Sequence, residues 1–361
     1  MRPTKTKSNG ADGWPETGFR IGQRIPGRLD QKRAAHAVEL CEFIVSRLDV
    51  RGRYVPPESI FPESIGYRAS LAGYLAEAGR VLGEPRYIEA AGRILRDVMP
   101  ERIGDMWPVG SFHEFPIYRS LDLDWREKYA TKPDVRYTIL MIMGLGLYYR
   151  ASGDRTVVEP ARRALEAVLG KWNFKKEKPR REWLVFELLG MAISVWENTL
   201  PEYAHHKAPL VKEVLDTFVE MAPNGFPFLT MYRTMFLIDQ TGSRYLYSHV
   251  KPGIDAMLAE PKLRCPENAD DFFHFHKTAD HVNVRANGGV AITLRLFDLA
   301  AGKKVYTQGK IYRHVSTWWD GQRRKDGAYY GGREHGLGRR YGLGSPDQYL
   351  PLSWLIGGIQ T

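Results

Sequence analysis

Leu82-Gly83-Glu84-Pro85-Arg86-Tyr87 divides two helical periodicities, and its reading decides the fold. Apolar residues recur at helical spacing from about residue 65 to 82 and resume from Pro85 to about 98. Glycine ends a helix because it enters the left-handed region without a Cβ penalty. Proline opens the next helix because its missing N–H has no partner in a first turn. Ser64 is the candidate N-cap of the first helix of the pair. The unit is a helix, a tight turn and a second helix.

The unit recurs along the chain. Ala151-Ser152-Gly153-Asp154 separates helices expected at about 133–152 and 155–172. Asn198-Thr199-Leu200-Pro201 separates 180–197 from 204–221, and Gln240-Thr241-Gly242-Ser243 separates 226–240 from 243–259. Ala300-Ala301-Gly302-Lys303 separates 283–301 from 304–320. Two helices remain single. One is at about 31–49, with Ala37, Leu40, Phe43, Ile44 and Leu48 on one face, and the other is at about 346–359. Pairing first with last makes six hairpins and closes a ring. A fixed unit at this period indicates a repeat architecture, and closure through the termini removes the need for the polar capping repeats of an open solenoid. The expectation is an all-α fold, a single domain over 29–361 after a polar lead-in over 1–28.

Composition narrows the function. Hydrophobic residues at 43% and charged residues at 26% are ordinary for a globular protein. A formal charge of +10 favours an acidic partner. Two cysteines far apart, Cys41 and Cys265, exclude a disulfide framework and a cysteine metal site. The opening residues have no apolar run of signal-peptide type, so a cytoplasmic location is expected.

Connections within hairpins are short, whereas those at about 50–64, 99–132, 260–282 and 321–345 are long. Long connections in a compact domain are usually functional. In a ring of hairpins they fall on one rim, at helix N-termini, where free N–H groups suit an anion. Loop 99–132 supplies Trp107, His113, Glu114 and Trp125, and leads to Asp134 and Arg136 at a helix start, where Asp134 also suits a first-turn dipole role. Loop 260–282 supplies His276 and His281 beside Asp270, Asp271, His274 and Asp280. Its His-Phe-His stretch leaves a divalent metal as an option, although no metal or other cofactor is required by the reading. Arg285 and Asn287 follow at the next helix start. Segment 318–349 carries Tyr329, Tyr330, Arg333, His335, Arg339 and Tyr341 among glycines that allow close approach to a ligand. Arginine forks grip carboxylates and phosphates.

A six-hairpin ring with its cleft on the between-hairpin rim resembles the (α/α)6 toroid of carbohydrate-active enzymes, among them alginate- and glycosaminoglycan-type polysaccharide lyases and unsaturated glucuronyl hydrolases. The resemblance spans about residues 31–359, and Arg285-Ala286-Asn287-Gly288-Gly289 is faintly similar to an Arg-Gly-Asn-Gly-Trp segment of the glucuronyl hydrolases. It implies an enzyme on an acidic, uronate-containing saccharide. β-Elimination needs a neutralised carboxylate, a base and a proton donor. His281 or His335 is expected as base and Tyr330 or Tyr341 as acid, with Asn287, Arg285 and Arg333 around the carboxylate. Trp107, His113, Glu114, Trp125, Asp134, Arg136, His276, Tyr329, Arg333 and Arg339 are expected to bind substrate. Hydrolysis by paired carboxylates such as Glu114, Asp134, Asp270, Asp271 and Glu334 is the alternative. A polyanion-binding helical scaffold is the second alternative, with nucleic acid the less favoured partner because the basic residues are scattered.

Overall fold

The computed structural model describes residues 31–55, 64–110, 132–171, 185–224, 227–263, 273, 281–330, 332–334, 340–341 and 345–356. Within them lie twelve α-helices. In chain order they are α1 (Gln31–Ser46), α2 (Ile65–Leu82), α3 (Pro85–Val98), α4 (Val135–Ser152), α5 (Val158–Lys171) and α6 (Val185–Trp196). There follow α7 (Lys207–Met221), α8 (Pro227–Thr241), α9 (Lys251–Ala259), α10 (Val284–Ala301), α11 (Lys310–Asp320) and α12 (Ser345–Leu355).

The packing order closes a ring. Helix α2 packs on α4, α4 on α6, α6 on α8, α8 on α10, α10 on α12, and α12 returns to α2. Each inner helix carries an outer one: α3 on α2, α5 on α4, α7 on α6, α9 on α8, α11 on α10, and α1 on α12. The fold is an all-α (α/α)6 toroid, with the first helix paired to the last as the hairpin count predicts.

Side-chain pattern separates the two layers. Outer helix α3 buries one stripe, Tyr87, Ala90, Ala91, Ile94, Leu95 and Val98, which is the spacing of a single helical face. Inner helix α4 is buried without a break from Thr138 to Tyr148, as a helix flanked on every side must be. Inner helices also approach closely. A Cβ on Gly144 would lie 2.2 Å from the Ala69 carbonyl oxygen, so the α2 and α4 backbones meet there.

The turns follow their glycines. Gly83 and Gly153 adopt φ of 73° and 72°, and their N–H groups donate to the Gly79 and Tyr149 carbonyls. Some helix starts differ from the sequence expectation. Helix α11 begins at Lys310, not near residue 304, because the Asp298 carboxylate accepts the N–H groups of Val305, Tyr306 and Thr307 and the Thr307 hydroxyl. That bonding holds the segment out of the helix. Helices α5 and α7 are preceded by 3-10 turns at Arg155–Val157 and Pro201–His206, and α9 by a π turn at Leu246–Val250. No helix among the described residues is long and apolar enough to cross a membrane.

A small antiparallel sheet adds to the helices. Its strands β1 (His281–Asn283), β2 (Gly332–Glu334) and β3 (Arg340–Tyr341) run in the order β1-β2-β3. Register pairs His281 with Glu334, Val282 with Arg333 and Asn283 with Gly332, and then Gly332 with Tyr341 and Arg333 with Arg340. Strand β1 runs directly into α10. The sheet therefore joins two of the long connections at the rim where the inner helices begin.

Candidate active site

Inner helices that are not neighbours in the ring can meet only inside it. Such contacts locate the centre of the toroid. Arg285, in the first turn of α10, lies over the Tyr67 ring of α2 with its guanidinium carbon 6.0 Å from the ring centroid. Tyr349 of α12 neighbours Tyr232 of α8, and both phenols feel Tyr67 and the Arg285 charge. Helices α2 and α8 stand on opposite sides of the ring. Tyr67 meets Tyr137 of α4 edge-on at 5.4 Å, and Tyr74 of α2 stacks on Tyr349 at 5.6 Å. Five tyrosines and one arginine from five of the six inner helices thus converge on the axis.

The chemistry of this cluster follows from burial. Desolvation disfavours the phenolate. It pushes the Tyr232 phenol up to about 12, opposed there by Tyr349 and Arg285, and holds Tyr349 well above the ordinary phenol range, where Tyr232 and Tyr67 add to the rise and Arg285 opposes it. Burial likewise raises Tyr74 and Tyr137. At neutral pH these groups are protonated and act as donors. Arg285 adds a fixed positive charge at the same place. The arrangement can receive a carboxylate at the guanidinium and deliver a proton to an oxygen nearby.

The described carboxylates of the inner helices' first turns are otherwise engaged. Asp134 caps α4, accepting the Tyr137 N–H at 3.0 Å. Glu187 of α6 accepts from the Arg233 guanidinium of α8, and the two side chains are 2% and 7% exposed. That ion pair ties two adjacent inner helices together inside the ring wall.

The sequence-named residues fall in different places. Arg285 joins the axial cluster. Arg136 is exposed at the start of α4, over the Tyr137 ring at 5.5 Å. His281, Arg333 and Tyr341 are brought onto adjacent strands at this rim, at the backbone level. Three expected roles are corrected. Trp107, expected as a sugar platform, is fully buried and its indole N–H donates to the Met99 carbonyl. Asn287, expected at the substrate carboxylate, is fully buried and spends its amide on the Phe273 backbone, accepting from N–H and donating to C=O, both at 3.0 Å. It holds the Phe273 backbone against the start of α10. Tyr329 is 4% exposed and lines a groove on the outer wall with Asp320 and Arg323, its backbone clamped in both directions by Gln348. Tyr330 has Arg324 over its ring at 5.2 Å. His113, Glu114, Trp125, His276, His335 and Arg339 lie outside the described residues.

The sequence reading missed Tyr67, Tyr74, Tyr137 and Tyr232. Their only signal is an aromatic ring on a helix that the burial pattern makes inner, and without the ring such a residue reads as core. Among the described residues no cluster of three or more His, Cys, Asp or Glu is arranged to hold a metal.

No family model matches the chain, and no curated protein matches it. Solved structures do match. The cellobiose 2-epimerase of Spirochaeta thermophila DSM 6192 is similar with a TM-score of 0.67 at 12% identity, over 92% of this chain and 97% of that one. The α-1,6-mannanase GH76A of Salegentibacter sp. HEL1_6 gives 0.60 at 10% identity, over 90% and 98%. An unsaturated glucuronyl hydrolase specific for heparin gives 0.54 at 11% identity, over 91% and 95%. The chain thus shares the (α/α)6 toroid of known carbohydrate-active enzymes, at identities that carry fold and not activity.

Proposed function

We propose that the chain is a carbohydrate-active enzyme that cleaves an acidic, uronate-containing saccharide by β-elimination at the axial tyrosine–arginine cluster. The observation that carries this reading is Arg285 set among protonated phenols from opposite sides of the ring. In β-elimination a base removes the proton next to the carboxylate, a C=C bond forms, the C–O bond to the leaving sugar breaks, and the leaving oxygen takes a proton. Arg285 would neutralise the carboxylate, which makes the adjacent proton acidic. Tyr232 or Tyr349, which burial keeps protonated at neutral pH, would give its proton to the leaving oxygen as that oxygen becomes the stronger base. The base must then be another group. His281, on β1 just before Arg285, is the first choice, and His335 and Tyr341 of the joined loop remain candidate partners. The formal charge of +10 suits an acidic substrate.

The test incubates the full chain with a panel of uronate polysaccharides and follows ultraviolet absorbance together with reducing ends. Absorbance of an unsaturated uronate rising with reducing ends is expected. Tyr232→Phe should lower kcat by about 10²–10⁴, the usual share of a general acid. Arg285→Gln should lower kcat/KM on acidic substrates. Reducing ends without absorbance would replace elimination by hydrolysis on paired carboxylates. Conversion of a neutral disaccharide to an epimer, with no bond cleaved, would replace it by proton transfer at the sugar carbon alone. Binding of acidic chains without turnover would leave a scaffold.

A further inference from the structure

Three inner helices grip the chain that leads into them. Thr138, Asn287 and Gln348 are each the fourth residue of their helix, α4, α10 and α12, and all three are fully buried. Each binds the backbone of one residue in the long connection before its helix. The Asn287 amide accepts the Phe273 N–H and donates to the Phe273 carbonyl, both at 3.0 Å. The Gln348 amide does the same to Tyr329, at 3.0 and 2.8 Å. The Thr138 hydroxyl accepts the Trp107 N–H at 2.9 Å, and its hydrogen lies between the Trp107 and Asp134 carbonyls at 3.2 and 2.7 Å. The Asp134 N–H completes the hold on the Trp107 carbonyl at 2.8 Å.

Position explains the repetition. Side chains on a helix lean toward its N-terminus, so the fourth residue reaches the segment ahead of the first turn. A primary amide matches a backbone N–H and C=O together, as a neighbouring strand would. A leucine there would fill the same space and leave both backbone groups to find other partners. Helices α6 and α8, which shorter connections enter, carry Leu188 and Thr230 at that position, and the Thr230 hydroxyl has no partner among the described residues. Helix α2 carries Arg68 there, paired with Asp97 of α3.

The same first turns supply the axial cluster. Thr138 follows Tyr137, Gln348 precedes Tyr349, and Asn287 stands two residues after Arg285. Successive helical positions are turned by about 100°, so one residue serves the axis while its near neighbour serves the connection. Gln348 has the most direct reach. Its partner Tyr329 lies three residues before β2, Arg333 of β2 pairs with Val282 of β1, and β1 runs into the turn of α10 that carries Arg285.

We propose that Thr138, Asn287 and Gln348 are positioning residues for the axial site, a role that rests on the elimination reading above. They register three long connections against the turns that carry Tyr137, Arg285 and Tyr349, and Gln348 holds β2 where it pairs with β1.

The experiment pairs hydrogen exchange of the full chain, read by mass spectrometry over β1 and β2, with steady-state kinetics on the uronate substrate that yields unsaturated product. Gln348→Met removes both bonds at nearly the same volume. It should speed exchange of the β2 amides, and of β1 across the register, by at least about tenfold. It should also lower kcat by at least about tenfold while KM stays within about threefold, the pattern of lost orientation and not of lost binding. Asn287→Leu should lower kcat likewise. Thr138→Val should lower it and Thr138→Ser, which keeps the hydroxyl, should not. Asp298→Ala loosens the segment before α11 at the far end of α10 and should lose stability with kcat unchanged. Unchanged exchange in Gln348→Met would overturn the clamp. Faster exchange with kcat unchanged, or an equal fall of kcat in Asp298→Ala, would overturn the positioning role. Should Gln348→Met not fold, Thr138→Val against Thr138→Ser decides by the same kinetic split, with Trp107 as the exchange site. If the parent turns over no uronate, the elimination reading falls and the exchange arm decides alone. Faster β1 exchange in Gln348→Met then supports the positioning of the sheet, and its absence overturns it.

Discussion

Removing Arg233 strands a buried carboxylate, and the structure sets the size of the loss. Glu187 and Arg233 are both almost fully buried, at 2% and 7% exposure, and each satisfies the other across the α6–α8 contact. Solvent screening is therefore slight. Breaking one side of such a pair costs about 3–5 kcal/mol, because the charge left behind has neither water nor a partner. Arg233→Met and Glu187→Gln should each be destabilised, the former by about that amount. Removing both charges together is different. Glu187→Leu with Arg233→Met deletes the desolvation penalty along with the attraction, and such replacements are often neutral or stabilising. The double variant should recover most of the loss. With the unfolding entropy typical per residue, 3–5 kcal/mol in a chain of this length is about 4–7 °C in melting temperature. Urea unfolding of the parent, two singles and the double closes the cycle. A double variant no more stable than Arg233→Met would show that the pair is not the electrostatic unit described, and that volume at this contact governs its stability.

Other consequences are testable in the same way. Gly144→Ala places a methyl 2.2 Å from the Ala69 oxygen and should cost about 1–3 kcal/mol by overpacking. Gly170→Ala meets nothing within 4 Å and should stabilise by about 0.4–1 kcal/mol, so denaturation should report opposite signs. Asp134→Ala removes the side-chain cap of α4 and should cost about 0.5–2 kcal/mol in urea. The Tyr232 phenol, raised to about 12 from 10 by burial, makes stability fall with alkali. The unfolded chain releases this proton first, so its contribution is complete below about pH 10 and is lost as pH rises toward 12. Tyr232→Phe should flatten that part of the stability–pH curve, and an unchanged slope would count against the phenol as its source.

The architecture was legible because its signals are local. Gly83, Gly153, Gly242 and Gly302 all sit at positive φ, and a glycine between two helical periods announces that turn in the sequence. The start of α11 was not legible. Nothing in the spacing around residue 304 reveals that Asp298, from the preceding helix, takes the N–H groups of Val305, Tyr306 and Thr307. The sheet was hidden for a similar reason. Its strands are two or three residues long, too short for an alternating pattern. Trp107 shows the opposite error. A tryptophan in a long polar loop reads as a ligand platform, yet this one is anchored inward by Met99.

The axial cluster belongs to a different class of information. Tyr67, Tyr232, Arg285 and Tyr349 sit on four hairpins, and they meet only because the inner helices close a ring. No spacing along the chain encodes that meeting. Stability alone would not select it either. A ring centre filled by aliphatic side chains would bury no hydroxyl, whereas each buried hydroxyl or guanidinium must find a partner or cost free energy. Here the phenols stand beside one another, Tyr349 by Tyr232 and Tyr137 by Tyr67, the latter rings edge-on at 5.4 Å. The cluster sits near the starts of the inner helices, at the end where β1 runs into α10. A ligand with hydroxyls can hydrogen-bond buried phenols, while an apolar ligand offers them nothing. The polarity of the axis therefore argues for a saccharide over an apolar substrate, independently of any likeness in fold.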